Sequence, residues 1–291
     1  MKRILITGAN SYLGKSLTEY LKQWPDEFRV EATSVRDDTW KETDFHFFDA
    51  IYHTAALVHM EQNKQDPAQA EFYDRVNARL PISIAKKAKA EGVRQFVFLS
   101  TAAIYGCTAP YGKTITITAD TPAHPVDNYG TSKWNAEQGL RALEDDNFHV
   151  AVLRPPMIYG KGCKGNYRTL EAMAKKLPFF PAVSNQRSML YIGNLNELVR
   201  LLLQSGEGGT FCPQNREYAN TSQLVRQIAQ AHGKRLVLVP GFGWALSLLR
   251  HITPAVDKAF GSLCYDPALS QYSNKDYCLW DFPASVWESE C

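Results

Sequence analysis

The sequence predicts an α/β fold, a doubly wound parallel sheet followed by a smaller, interleaved C-terminal part. Three observations carry this. The N-terminus reads strand, glycine turn, helix; strand-length apolar runs then alternate with helical stretches through the first half; and from Lys161 on the texture changes to glycine-rich and aromatic loops with shorter helices. The boundary is expected near residue 160, giving parts 1–160 and 161–291, with a segment at about 188–204 (Met189-Leu190-Tyr191-Ile192 and a helix) returning to the first sheet.

The first element is the run Arg3-Ile4-Leu5-Ile6. It leads into Thr7-Gly8-Ala9-Asn10-Ser11-Tyr12-Leu13-Gly14 and then into leucines at helical spacing, Leu13, Leu17 and Leu21. That order opens a dinucleotide site. Gly8 lets the chain turn sharply off the strand, Gly14 lets helix and strand pack closely, and backbone N–H groups at the helix start face a pyrophosphate. Gly8, Asn10, Ser11, Tyr12, Leu13 and Gly14 are therefore candidate cofactor ligands. Ser11 stands where the usual pattern has its middle glycine, and its side chain fits if it points away from the diphosphate or bonds to it.

Composition bounds the rest. The 291 residues are ordinary in apolar content and long enough for a substantial core, and 32 Lys and Arg against 30 Asp and Glu leave a net charge of +2. No strong field calls for nucleic acid or an anionic membrane as partner. The six cysteines show no C-x-x-C spacing, no metal site is indicated, and nothing before Lys2-Arg3 resembles a signal peptide, so a reducing cytoplasm is expected. The longest greasy segment, Val237 to Leu249, contains Pro240 and two glycines and is too short to cross a bilayer.

After Trp24-Pro25-Asp26, a stop signal, the stretch Phe28 to Val35 reads as the second strand. Its end would lie over the adenosine ribose, where an acid suits a 2′-hydroxyl and an unopposed Arg suits a 2′-phosphate. Ser34, Arg36 and Asp37 give a mixed message, so the cofactor reads as NAD or NADP with a slight lean to the latter. Asp49 to Ala56 is the next strand, and Ala55 and Ala56 at its end leave room for a cofactor. A charged segment follows, then a helical stretch from about Ala70 to Gly92 that Pro81 either kinks or restarts. Gln95 to Ser100 reads as a buried strand, with Ser100-Thr101-Ala102-Ala103-Ile104-Tyr105-Gly106 at its C-terminal end, where ligands of open parallel sheets collect. A loop containing Pro110, Gly112, Pro122 and Pro125 separates it from a helix capped by Asp127, on which Tyr129 and Lys133 stand four apart and share a face. Phe148 to Leu153 is a further strand, closed by Arg154-Pro155-Pro156.

A lone Tyr-x-x-x-Lys is weak evidence; its order after a glycine-rich loop and a strand-end Ser-Thr is what carries it. With Tyr105-Gly106, Val76-Asn77, Arg154-Pro155 and Arg187-Ser188-Met189-Leu190-Tyr191-Ile192, the chain resembles the extended short-chain dehydrogenase/reductase family, in its nucleotide-sugar epimerase and reductase branch, over nearly its whole length. The resemblance implies a Rossmann sheet binding NAD(P), with Asn77, Ser100, Tyr129, Lys133 and Pro156 joining the cofactor ligands. It implies that Tyr129 is the acid/base, that Lys133 favours its phenolate and bonds the nicotinamide ribose, and that Thr101 holds the substrate oxygen. Arg187 would bind the substrate diphosphate, with Asn166 nearby.

Dehydratases of this family place an Asp-Glu pair after the Thr, where this chain has Ala102 and Ala103; elimination is thereby disfavoured. The expected activity is a nucleotide-sugar C4 epimerase, most simply on a UDP-hexose in polysaccharide precursor synthesis. An NADPH-dependent 4-ketoreductase is the alternative, and a non-catalytic dinucleotide sensor is a third reading with little need of Tyr129 and Lys133 together. A homodimer is compatible with the family.

Overall fold

In the computed structural model, the described residues are 1–58, 66–273 and 275–291. The strands are β1 (Lys2–Thr7), β2 (Phe28–Thr33), β3 (Ala50–His53), β4 (Gln95–Leu99), β5 (Thr114–Ile117), β6 (His149–Leu153), β7 (Met157–Tyr159), β8 (Phe179–Pro181), β9 (Met189–Tyr191), β10 (Gly209–Phe211), β11 (Val237–Val239) and β12 (Ser262–Tyr265). The α-helices are α1 (Tyr12–Leu21), α2 (Pro67–Asp74), α3 (Leu80–Ala90), α4 (Asn128–Arg141), α5 (Asn166–Lys176), α6 (Ile192–Ser205), α7 (Thr221–Ala231), α8 (Gly243–Leu249), α9 (Ala255–Phe260) and α10 (Phe282–Glu290). The charged segment expected after Ala56 falls partly on residues 59–65, outside the described residues.

The chain forms two units. The first comprises Met1–Gly106, Pro122–Pro155 and Asn196–Cys212, and the second Cys107–Thr121, Pro156–Leu195 and Pro213–Cys291. Helix α6 begins in the second unit and continues into the first.

The first unit is built on a six-stranded sheet in the order β10-β6-β4-β3-β1-β2. Every pairing in it is parallel. Helices on both faces require strands that are apolar on both faces, and β3 and β4 are buried at every residue. One face packs Leu5, Ile51, Phe96, Phe98 and Val152 against Ile84, Ala85 and Ala88 of α3 and Ala136 and Leu140 of α4. From β1 the chain goes outward to β2 and then crosses to β3 on the other side, so the switch of direction lies between the C-terminal ends of β1 and β3. Ligands of open parallel sheets bind at such a point.

The stretch read as one helix from 70 to 92 is two, α2 and α3, joined by a π-helical turn at Arg75–Arg79, and Pro81 lies in the first turn of the second. The missing N–H of a proline costs nothing there.

The second unit contains three two-stranded parallel sheets, β12-β5, β7-β9 and β8-β11. Two expectations change. The proline-bearing stretch read as a loop contains β5, whose Thr114-Ile115-Thr116-Ile117 alternation pairs in register with Ser262–Tyr265. Of the stretch 188–204 expected to return to the first sheet, Met189–Tyr191 pairs instead with Met157–Tyr159, while α6 from Asn196 on joins the first unit. The residues that complete the main sheet are Gly209–Phe211, beside Ala151–Leu153.

Candidate active site

The loop after β1 is tied to both neighbours of that strand. Gly8 and Ala9 donate N–H bonds of 3.0 and 3.1 Å to Thr33 O at the end of β2, and Thr54 and Ala55 donate 3.0 and 3.2 Å bonds to Thr7 O. Gly8 has φ +113°, and a Cβ there would come within 2.7 Å of Thr54 Oγ1 and 2.8 Å of Ala55 N. Only glycine suits both the backbone and the space. Gly14 is equally confined, with a Cβ falling 3.0 Å from Gly8 O and 3.1 Å from Ile6 Cγ2.

Ser11, the residue in place of the middle glycine, caps α1. Its Oγ accepts from Gly14 N at 2.9 Å and lies 2.7 Å from Thr54 Oγ1. The side chain is thus folded back into the protein, and the positive end of α1 with the 10–13 backbone opens the switch point to a diphosphate. A glycine hinge that a Cβ would fill, at a helix start on the switch point, fits a dinucleotide.

At the adenosine end, Asp37 is engaged locally. It caps the short turn 38–41, accepting from Thr39 N at 3.2 Å and Thr39 Oγ1 at 2.5 Å, bonds that lower its pKa. Arg36 is exposed and forms no ion pair among the described residues.

The residues after β3 are held by Asn77, in the π-helical turn. Its Oδ1 accepts from Leu57 N at 2.8 Å, and its Nδ2 donates to Leu57 O at 3.0 Å and to Ser132 Oγ of α4 at 3.1 Å. The expected cofactor ligand is therefore buried among protein partners, and fixes the segment carrying Ala55 and Ala56. His53, fully buried, places Nδ1 2.8 Å from Thr7 Oγ1. Burial, with Lys133 adding to it, lowers its pKa to about 3.

Thr101, Tyr129 and Lys133 are brought together by β4 and α4. Thr101 opens a single 3₁₀ turn, Ala102–Tyr105, and its Oγ1 accepts from Ala103 N at 3.2 Å. Gly130, capped by Asp127 Oδ1 at 2.7 Å, packs directly on that turn. Burial pushes the Tyr129 phenol up to about 12, while a hydrogen bond with the Thr101 hydroxyl pulls the other way. Lys133 is buried; its Nζ donates to Leu99 O at 2.8 Å and lies 4.6 Å from the Phe98 ring centroid. Burial lowers its pKa to about 7, and the Glu137 carboxylate opposes that.

Beneath this triad lies a buried polar network. Ser100 does not face outward toward a cofactor: its Oγ donates to Glu137 Oε1 at 2.5 Å, and both residues are buried. Glu137, absent from the expected site, also receives Arg154 through Nε (3.1 Å to each oxygen) and a 2.6 Å bond to Oε2. Burial works against the Arg154 charge, but these bonds hold its pKa above the ordinary guanidinium value. Arg154 Nη1 donates in turn to Tyr105 Oη at 2.9 Å. The signal for Glu137 was its position four residues beyond Lys133, on the same helical face as Tyr129.

In the second unit, Arg187 donates from Nη1 to Gly261 O at 3.0 Å, and its backbone exchanges two 2.9 Å bonds with Ala219. Burial lowers its pKa, and it has no carboxylate partner among the described residues. Asn166 is the exposed first residue of α5, and Pro156 immediately precedes β7.

A parallel sheet with a glycine hinge at its switch point and a Thr/Tyr/Lys cluster at the next strand end defines a dinucleotide-dependent oxidoreductase-type enzyme. The model of the NAD dependent epimerase/dehydratase family matches residues 4–212. The chain belongs to that family.

Among curated relatives, it is similar to UDP-glucose 4-epimerase of Vibrio cholerae, 28% identical across 91% of this chain and 87% of that one. It is also similar to N-acetyl-alpha-D-glucosaminyl-diphospho-ditrans,octacis-undecaprenol 4-epimerase of Escherichia coli O157:H7, at 25% identity across 95% and 82%. Among solved structures, UDP-glucuronic acid 4-epimerase from Bacillus cereus in complex with NAD superposes with a TM-score of 0.72 at 16% identity, covering 99% of this chain and 95% of that one. The dTDP-4-dehydrorhamnose reductase of Bacillus anthracis in complex with NADP gives 0.63 at 21%, covering 82% and 84%. At these identities the two structures attest the fold.

Proposed function

We propose that the protein is an NAD(P)-dependent C4 epimerase of sugars carried on a diphosphate, with a UDP-hexose as the best-supported substrate. The observation that carries this is the joining of Thr101 to the Tyr129 phenol at the end of β4, with the buried Lys133 one helical turn beyond Tyr129. Both named relatives are 4-epimerases, and both act on a sugar diphosphate by name. Arg187, largely desolvated and without an acidic partner among the described residues, suits that diphosphate.

Bound NAD(P) supplies the hydride acceptor and donor. Gly8 and the 10–13 backbone would hold its diphosphate, and Ala55 and Ala56 would leave it room. Tyr129 takes the proton of the C4 hydroxyl and returns it after the sugar has presented its other face. Thr101 keeps that oxygen in place through its hydroxyl. Lys133, an ammonium with three donors of which Leu99 O receives one, lowers the cost of the phenolate. Ala102 and Ala103 leave no acid beside Thr101 to expel water. Free thiols at all six cysteines suit a reducing cytoplasm.

The test is turnover of UDP-glucose to UDP-galactose, with a small panel of other UDP-sugars, by the purified protein without added cofactor, followed by NMR. Tyr129→Phe should lower turnover by about 10²–10⁴-fold while cofactor stays bound. Arg187→Ala should raise KM selectively for diphosphate-linked sugars.

A 4-ketoreductase is the second reading. It is favoured by Arg36, exposed and unpaired among the described residues, beside an Asp37 committed to its own turn, a combination that suits a 2′-phosphate. Stoichiometric oxidation of added NADPH by a keto-sugar, without interconversion of UDP-hexoses, would replace the epimerase by the reductase.

A further inference from the structure

The second unit presents an apolar surface that its own fold leaves open. Trp244, Leu248 and Ile252 follow one another at four-residue spacing along α8 and the turn that continues it, at 71%, 61% and 80% exposure. Leu249 widens the same sector, while Leu246, on the opposite side, is buried. Single exposed hydrophobics need no explanation, but a continuous helical sector does. Upstream of α8, Val237 of β11 stands in register with Phe179 of β8, both more than half exposed. Pro240 and Gly241 carry the chain straight from that pair into α8.

The segment that carries this surface is basic. Residues 218–265 contain five Lys or Arg and a single acid, Asp257. That acid is neutralised within the fold: Arg250 Nε lies 3.2 Å from its Oδ1, and Tyr111 N donates to the same oxygen at 2.7 Å. Lys234, Arg235 and Lys258 remain exposed. The near-neutral total of the whole chain conceals this local excess.

We infer that this face of the second unit docks on an anionic lipid surface. Trp, Leu and Ile on one sector enter the headgroup and acyl boundary, and the neighbouring cations meet lipid phosphates. A second copy of this chain would bring the exposed Lys234, Arg235 and Lys258 against themselves, which disfavours it as the occupant. No described helix is long and apolar enough to cross a membrane, and the inferred contact is one made by this face alone. The sequence expectation of no membrane partner rested on total charge and on spanning length, and neither measures a surface sector. The inference does not depend on which sugar the enzyme turns over.

Co-sedimentation of the full-length protein with phosphatidylcholine vesicles, with and without phosphatidylglycerol, tests this. The protein should pellet several-fold more with the mixed vesicles, and added salt should reverse the difference. Trp244→Ser combined with Leu248→Ser should cut pelleting about tenfold, and Lys234→Glu with Arg235→Glu should remove the preference for the anionic lipid. All variants should retain the wild-type circular dichroism and the wild-type rate on a water-soluble UDP-sugar. Wild-type protein that stays in the supernatant with both vesicles overturns the inference. So does a dimer, seen by light scattering, that the Trp244 and Leu248 changes convert to monomer, since the face would then be covered by a second copy. Neither result touches the reaction, which the turnover assay judges separately.

Discussion

Gly130 and Ala103 approach so closely that a Cβ on Gly130 would come within 2.8 Å of the Ala103 carbonyl oxygen. This contact sets the spacing between the turn that begins at Thr101 and the helix that carries Tyr129. Gly130→Ala has to separate two backbone segments, because the obstructing atom is not a flexible side chain. The expected outcome is a loss of about 1–3 kcal/mol in stability by urea denaturation, with kcat reduced about 10²-fold and cofactor Kd little changed. A variant with native kcat would show that the spacing is not set here.

Thr101 opposes the burial that pushes the Tyr129 phenol up to about 12. A catalytic base is active above its pKa, so Thr101→Val should move the acid limb of the kcat/KM pH profile to higher pH. It should also lower kcat about 10–100-fold at neutral pH. Thr101→Ser should restore both, which separates the hydroxyl from the shape of the turn.

Burial takes the Lys133 ammonium down to about 7 even with the Glu137 carboxylate holding it up. Activity needs the charged lysine and is lost as pH rises through its pKa. Glu137→Gln lowers that pKa further, so the basic limb of the profile should shift to lower pH. The same change leaves Arg154 without its buried carboxylate, and a stability loss of about 3–5 kcal/mol is expected. Unchanged basic-limb pKa in a folded Glu137→Gln protein would remove Glu137 from the electrostatics of the site.

His53 has a folded pKa of about 3 against an ordinary value of 6.5. The unfolded chain therefore binds one more proton than the folded one between those values. The associated stability is complete above pH 6.5 and is lost as pH falls toward 3, with a slope of up to about 1.4 kcal/mol per pH unit. Urea midpoints across that window should fall less steeply for His53→Asn than for wild type.

The parts of this structure that are local in sequence were legible in it. The β1 loop and α1 announce themselves by Gly8, Gly14 and leucine spacing, and Tyr129 with Lys133 by a four-residue interval placed after Ser100-Thr101. What depends on long-range pairing was less so. The strand β5 was hidden by its flanking prolines although Thr114 to Ile117 alternates, and Met189–Tyr191 could not reveal from its own residues that it would choose Met157–Tyr159 over the main sheet. Ser100 and Asn77 have the chemistry of ligands, and only the packing shows their polar atoms turned to Glu137, Leu57 and Ser132. A buried carboxylate such as Glu137 looks in sequence like any acid on a wet helical face.

Strand β10 reaches its place beside β6 only after the chain has left for the second unit and come back. A ribosome must therefore deliver residue 211 before the larger sheet can close its last edge, and β6 waits as a bare ladder until then. A gene cut at residue 155 would encode that bare ladder permanently. Such a fragment should clump instead of behaving as an autonomous cofactor module, and swapping the C-terminal portion between relatives should succeed only when the 196–212 return segment stays with its original sheet.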